Sequence, residues 1–112
     1  KTFSSVDHHT LREIINSCSV ALCTSVEETQ HLASIECGAC DIPVVTTNIG
    51  IHYNKNGAGW GEKIPDGADG AEIAKILEKA LSSEYNTREK FIEFGYDKKS
   101  CKDKWLKVCN EL

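Results

Sequence analysis

A chain of 112 residues with 40% hydrophobic and 27% charged side chains has the composition of one soluble globular domain, which excludes a disordered tail or a low-complexity repeat. Its net charge of −4 does not suggest electrostatic binding of nucleic acid. No apolar run reaches six residues, so none reads as a membrane span or a signal-peptide core.

The charge is uneven: residues 1–84 carry 6 basic and 12 acidic side chains, and residues 85–112 carry 7 and 5. The basic end reads as a solvated helix face. Six Cys fall mostly at positions where periodic helices place core residues. They read as reduced, buried thiols of a cytoplasmic protein and not as a disulfide scaffold. Met is absent, so the chain reads as processed or as a piece of a longer protein.

In chain order, Leu11, Ile14, Ile15 and Cys18 have the spacing of an amphipathic helix, capped by Thr10 with Glu13 or by Asp7. Residues 20–23 form a short continuous apolar run, expected as a strand buried on both faces. A polar loop over residues 24–28 leads into a second helix over residues 30–40. Residues 43–46 predict another buried strand, with Pro43 at its start, where proline is tolerated. Residues 48–61 are rich in Gly and Asn and predict a long loop.

Residues 62–64 predict a short third strand. Asp69 and Glu72 open a helix with Ile73, Ile76, Leu77, Ala80 and Leu81 on one face. Asn86 or Thr87 caps a fourth helix that stops near Gly95, and Ser100 caps a last one whose Trp105 reads as core. Helices alternating with short apolar strands imply an α/β domain with a parallel sheet. Two or three strands bury their faces poorly. The expectation is therefore a larger domain truncated at its N-terminal side, whose isolated chain self-associates or is weakly stable.

In parallel sheets, ligands bind beyond the carboxyl ends of the strands. The loop after residue 23 lies at such an end. The helix that follows points free N–H groups and its dipole into the same crevice, as an anion requires. Glu28 precedes this helix. Glu36 sits within it, on a stripe with Leu32, Ala33, Ala39 and Cys40. A carboxylate there needs a partner, so Glu36 reads as either a ligand group or one half of an internal salt bridge. Glu28 reads as a ligand group or as a helix-capping carboxylate. Eight residues of helix span about 12 Å. That is wider than the 5–9.5 Å or so of a glycosidase carboxylate pair, and it suits two acceptors at the ends of one elongated ligand.

The two glutamates, with seven residues between them, have the Glu-x7-Glu spacing of retaining glycosyltransferases of family 4 (glycosyl transferases group 1), which have the GT-B fold. The block from Ser25 to Gly50 resembles their signature. There, a Ser-x-x-Glu loop leads into a helix ending Glu-Ala-x-Ala-x-Gly, followed by Pro-Val-Val. Ser25, Glu28, Glu36, Ala39 and Pro43-Val44-Val45 stand at those positions. Gly59-Trp60-Gly61 and Ile64-Pro65 resemble a later glycine-rich turn and strand, and the region from Tyr96 resembles the closing helix.

The resemblance implies that residues 1–112 are the partial C-terminal domain of a GT-B enzyme, a Rossmann-like parallel sheet flanked by helices. It implies transfer of a sugar from a nucleoside diphosphate sugar to an acceptor hydroxyl, with retention. Glu28 would contact the transferred sugar as the catalytic carboxylate, and Glu36 would bind the ribose hydroxyls. The N–H groups of Thr29, Gln30, His31 and Leu32 would hold the diphosphate.

Neither a metal nor a cofactor is expected. The partners implied are the nucleotide sugar, an acceptor glycan, lipid or protein, and an N-terminal acceptor domain that this chain lacks, without which it is expected to be inactive. The expected location is cytoplasmic, or peripheral at a membrane in the full-length protein. The family's Gly-Phe-Gly after the first Glu is Thr29-Gln30-His31 here, whose side chains narrow the pocket. This departure favours the alternative of a non-catalytic nucleotide-sugar-binding or interaction module of the same ancestry. A related sugar-nucleotide epimerase is a third reading. Cys37 and Cys40 have dithiol spacing, but at the end of a helix, where the dipole disfavours a thiolate. His31 reads as a phosphate contact or as an exposed helix-start residue. His52 and Tyr53 read as ligand groups or loop anchors.

Overall fold

The computed structural model describes residues 2–53 and 60–111. The elements are α1 (His8–Asn16), β1 (Ala21–Cys23), α2 (Leu32–Ala39), β2 (Val44–Thr46), a 3-10 turn (Gly50–His52), β3 (Gly61–Lys63), α3 (Gly70–Ser82), α4 (Thr87–Glu93) and α5 (Lys98–Glu111). The strands form one parallel sheet in the order β1-β2-β3, flanked by helices. Leu22 lies opposite Val45, and Val45 opposite Glu62. Gly59, at the start of the glycine-rich turn, lies outside the described residues.

Caps within one turn of the chain follow local chemistry. Asp7 caps α1: its Oδ1 accepts from the His9 and Thr10 amides at 2.9 and 3.0 Å, and Thr10 only adds its hydroxyl to the same carboxylate. Asp69 and Glu72 form the expected reciprocal box on α3, both bonds being 2.9 Å. Two expected caps are corrected. Ser100 does not cap α5; the carboxylate of Asp97 receives the Ser100 amide at 3.0 Å instead. Neither Asn86 nor Thr87 caps α4 with its side chain. The Arg88 amide donates to Asp41 Oδ1 at 2.8 Å, from the turn that ends α2. Asp41 itself adopts the left-handed conformation, φ 63°, that closes a helix.

Val45 of the central strand is fully buried and packs with Ile64 and with Ala80 of α3. Ile73, Ile76 and Leu77 extend this core. A second core centres on Trp60, 1% exposed, whose ring lies 5.9–6.4 Å from those of His52, Phe91, Phe94 and Tyr96. α2 meets this core through Ser34, Cys37 and Gly38, its buried residues at i, i+3 and i+4. A Cβ on Gly38 would run into the Trp60 ring, so only glycine allows the helix this close.

Several burial expectations are corrected. β1 is not buried on both faces, because it is an edge strand and Leu22 is 47% exposed. Trp105 is not core: it is 70% exposed on α5, a helix with no buried residue. Of the six thiols, all free, only Cys37 is buried, while Cys18, Cys101 and Cys109 are exposed. Helical spacing gave these residues a common face; no described element covers that face on α5. Among the described residues, no helix is long and apolar enough to cross a membrane.

Candidate functional site

The segments leaving the carboxyl ends of the three strands are tied together. The Thr47 amide donates to the Cys23 carbonyl at 3.3 Å, and its hydroxyl to the Ser25 carbonyl at 2.6 Å. The Ile51 amide donates to the Gln30 carbonyl at 3.3 Å. Lys63 Nζ donates to Asn48 Oδ1 at 2.9 Å. Two adjoining concavities of about 330 Å3 each open here, sharing Val26, Asn48 and Ile49. One is floored by Ile64 and Ile73, and the other carries Glu28, Thr29, Gly50 and Tyr53.

The loop before α2 rests on the turn after β2. Gly50 has φ +51°, and a Cβ there would lie 2.9 Å from the carbonyl carbon and oxygen of Gln30. A side chain at this position would push the loop away. His31 occupies the N-cap position of α2 with φ 65° and ψ 66°. For a residue with a Cβ this left-handed geometry costs about 1–2 kcal/mol. The imidazole is buried, 7% exposed, and its Nδ1 lies 2.5 Å from Ser34 Oγ in a hydrogen bond. Its ring also meets that of His52 edge to face, with centroids 6.0 Å apart.

His52 is 1% exposed, and its Nε2 has no hydrogen-bond partner among the described residues. Burial, with the nearby His31 and Lys63, pushes its pKa down to about 4, so the ring is neutral near pH 7. His52 is thus a buried anchor, while Tyr53 is exposed on the wall of the Glu28 concavity. His31 is buried and so is not an exposed helix-start residue. Its ring turns back beneath α2.

Glu28, Thr29, Gln30 and Leu32 are exposed. Among the described residues, the amide N–H groups of Thr29, Gln30, His31 and Leu32 donate no hydrogen bond. Four neighbouring donors are therefore available at the N-terminus of α2, where the helix dipole favours an anion. Glu36 is placed elsewhere. It is half-buried on the wall of a separate cleft of about 470 Å3 between α1 and α2, lined also by Arg12 and Arg88. The structure does not bring Glu28 and Glu36 into one concavity. The stripe that carries Glu36 faces out of the core, with Leu32 and Ala33 exposed, because the close fit of Gly38 on Trp60 fixes the rotation of the helix.

Burial pushes the Cys37 thiol up to about 12, so Cys37 does not supply the reactive thiolate of a dithiol site. Among the described residues, no three His, Cys, Asp or Glu side chains converge as metal ligands. Asn48 was not anticipated as a wall of the crevice, although it follows β2 at a strand's carboxyl end, the signal already applied to β1. Ser34 carried no signal, because its role arises only through His31, whereas His52 takes the loop-anchor role, one of the two its place in the loop allowed.

Residues 1–98 match the family model described as "Glycosyl transferases group 1". No curated protein and no solved structure matches the chain.

Proposed function

The chain belongs to the group 1 glycosyl transferases, and we propose that it forms the donor-binding part of a GT-B enzyme of family 4 type that acts with retention. The observation that carries this reading is the set of four amides over residues 29–32 at the start of α2, unpartnered among the described residues and beside the Glu28 concavity. In the reaction, the bond from the anomeric carbon of the sugar to the β-phosphate oxygen breaks. A bond to the acceptor hydroxyl oxygen forms, the acceptor proton departs, and the nucleoside diphosphate leaves with the electron pair. The amides and the helix dipole lower the energy of the charge that builds on the departing diphosphate. Glu28 faces the transferred sugar. Glu36 takes the ribose diol through two accepted hydrogen bonds, with the nucleoside reaching toward the α1–α2 cleft. A hexose is the expected sugar, a cellular glycan the expected product, and the cytoplasm, or its membrane surface, the expected site of action.

The separation of Glu28 and Glu36 into two concavities supports a second reading, a non-catalytic module that binds nucleotide sugars. Calorimetry on the full-length protein separates the two, with UDP, GDP and their glucose and mannose conjugates as probes. Glu36→Gln is expected to weaken the nucleotide and its sugar conjugate alike by about 1–3 kcal/mol, the loss of a hydrogen bond to a charged group. Glu28→Gln is expected to spare the nucleotide and impair sugar recognition and turnover. Turnover by the wild type identifies the enzyme. Binding without turnover identifies the module. A Glu36→Gln protein that melts earlier yet binds nucleotide normally refutes the ribose assignment.

A further inference from the structure

We propose that His31 is the positioning residue of the diphosphate loop. Its imidazole, held by Ser34 on one side and stacked edge-on against His52 on the other, keeps the chain in the left-handed turn that leaves the neighbouring amides free for a ligand. The inference rests on the donor-site reading above and adds to it a side chain that touches no ligand.

The argument starts from the backbone. A non-glycine residue at φ 65° persists only where its surroundings over-determine it. Four contacts do so here. Ser34 Oγ reaches the Nδ1 of the ring at 2.5 Å, and the Ser34 amide donates to the His31 carbonyl at 3.1 Å, so one residue grips both ends of His31. The His52 ring, itself packed against Trp60, closes the other side. The preceding carbonyl, of Gln30, accepts from the Ile51 amide across the surface that Gly50 leaves open.

Each contact uses the His31 ring or a carbonyl, and none uses the N–H groups of Thr29, Gln30, His31 or Leu32. The loop is therefore pinned from behind with its donors unspent. A glycine would adopt the same turn without strain but would leave it mobile. The histidine supplies the turn and its anchor together, and so preorganises the amides before ligand arrives. His52 serves as the neutral wedge of this arrangement, its ring fixed between His31 and Trp60.

The test compares wild type with His31→Ala, His31→Gly and Ser34→Ala in the full-length protein, using amide hydrogen exchange and titration with UDP and GDP. The Ser34 and Ile51 amides report on the anchor, because they bond to the carbonyls of His31 and Gln30. Both His31 variants are expected to lose about five- to tenfold of the protection at these two amides and to raise the dissociation constant for the bound nucleotide by a similar factor. Amides within α3 keep their protection. Ser34→Ala follows in the same direction, and it keeps the test alive if a His31 variant fails to fold.

A purely conformational His31 gives a different pattern: His31→Gly binds nucleotide as well as wild type or better. A core-filling His31 lowers protection everywhere equally. Either result overturns the proposal, as does unchanged protection at Ser34 and Ile51. If neither nucleotide binds wild type, the donor-site reading fails and the diphosphate-loop assignment falls with it, whatever the anchor amides show.

Discussion

Acidification should unfold this protein through one buried imidazole. In the folded chain His52 resists protonation until about pH 4, whereas its ordinary value is 6.5. The unfolded chain therefore binds a proton that the folded chain refuses, and stability falls as pH drops from about 6.5 to about 4. Each unit of difference corresponds to about 1.4 kcal/mol, which sets an upper limit of about 3 kcal/mol for the whole window. Between pH 7 and pH 5 the loss is about 2 kcal/mol, a large share of a small domain's stability. His31 and Lys63 face the ring and oppose its charge, and no described group pairs with Nε2.

The carboxylates held low by hydrogen bonds, Asp7, Glu62 and Asp97, lose their contribution only as pH falls toward and below their ordinary range near 4, so the interval from pH 7 to pH 5 isolates His52. Urea unfolding at half-unit steps of pH measures the slope. His52→Phe, which keeps an aromatic edge toward Trp60 and cannot titrate, is expected to flatten the slope and to gain on wild type at pH 5. A wild-type stability that is constant from pH 7 to pH 5 refutes the reasoning. So does a His52→Phe protein that retains the full slope.

Gly38→Ala drives a methyl group into the Trp60 ring and is expected to cost about 1–3 kcal/mol, read as a lower thermal midpoint with unchanged helix content. Asp41→Ala removes the acceptor for the Arg88 amide and is expected to cost about 1–2 kcal/mol by urea unfolding. Asp41→Gly, which relieves φ 63° but lacks the carboxylate, should fall between alanine and wild type. Thiol labelling without prior reduction should modify Cys18, Cys101 and Cys109 in the native protein. Cys37 should react only after unfolding, as its burial and raised pKa require. Rapid native labelling of Cys37 would mean that α2 is not seated on Trp60 as described.

What the sequence determined by itself is whatever acts within a turn of helix or along one strand. The Asp69–Glu72 box was legible because donor and acceptor are three residues apart, and β2 was legible because a central strand reads as continuous apolar residues. The strand–loop–helix–strand block and its place at the sheet's carboxyl edge followed from the same local patterns. The tertiary structure alone decided what covers each face and what crosses the chain. Periodicity predicted one face for Trp105 and Cys109 but not that no described element packs on it, and it put Glu36 on an apolar stripe that the contact of Gly38 with Trp60 turns away from the core. Asp41 caps a helix 47 residues away, a bond no local spacing announces. The local sequence allows His31 to be a phosphate contact or an exposed start to a helix, yet its burial depends on Ser34, His52 and Trp60, which only the folded chain brings beneath it. Local hydrogen bonding and side-chain period are properties of the neighbouring residues, whereas burial belongs to the partner surface, and the partner surface exists only once the chain has folded.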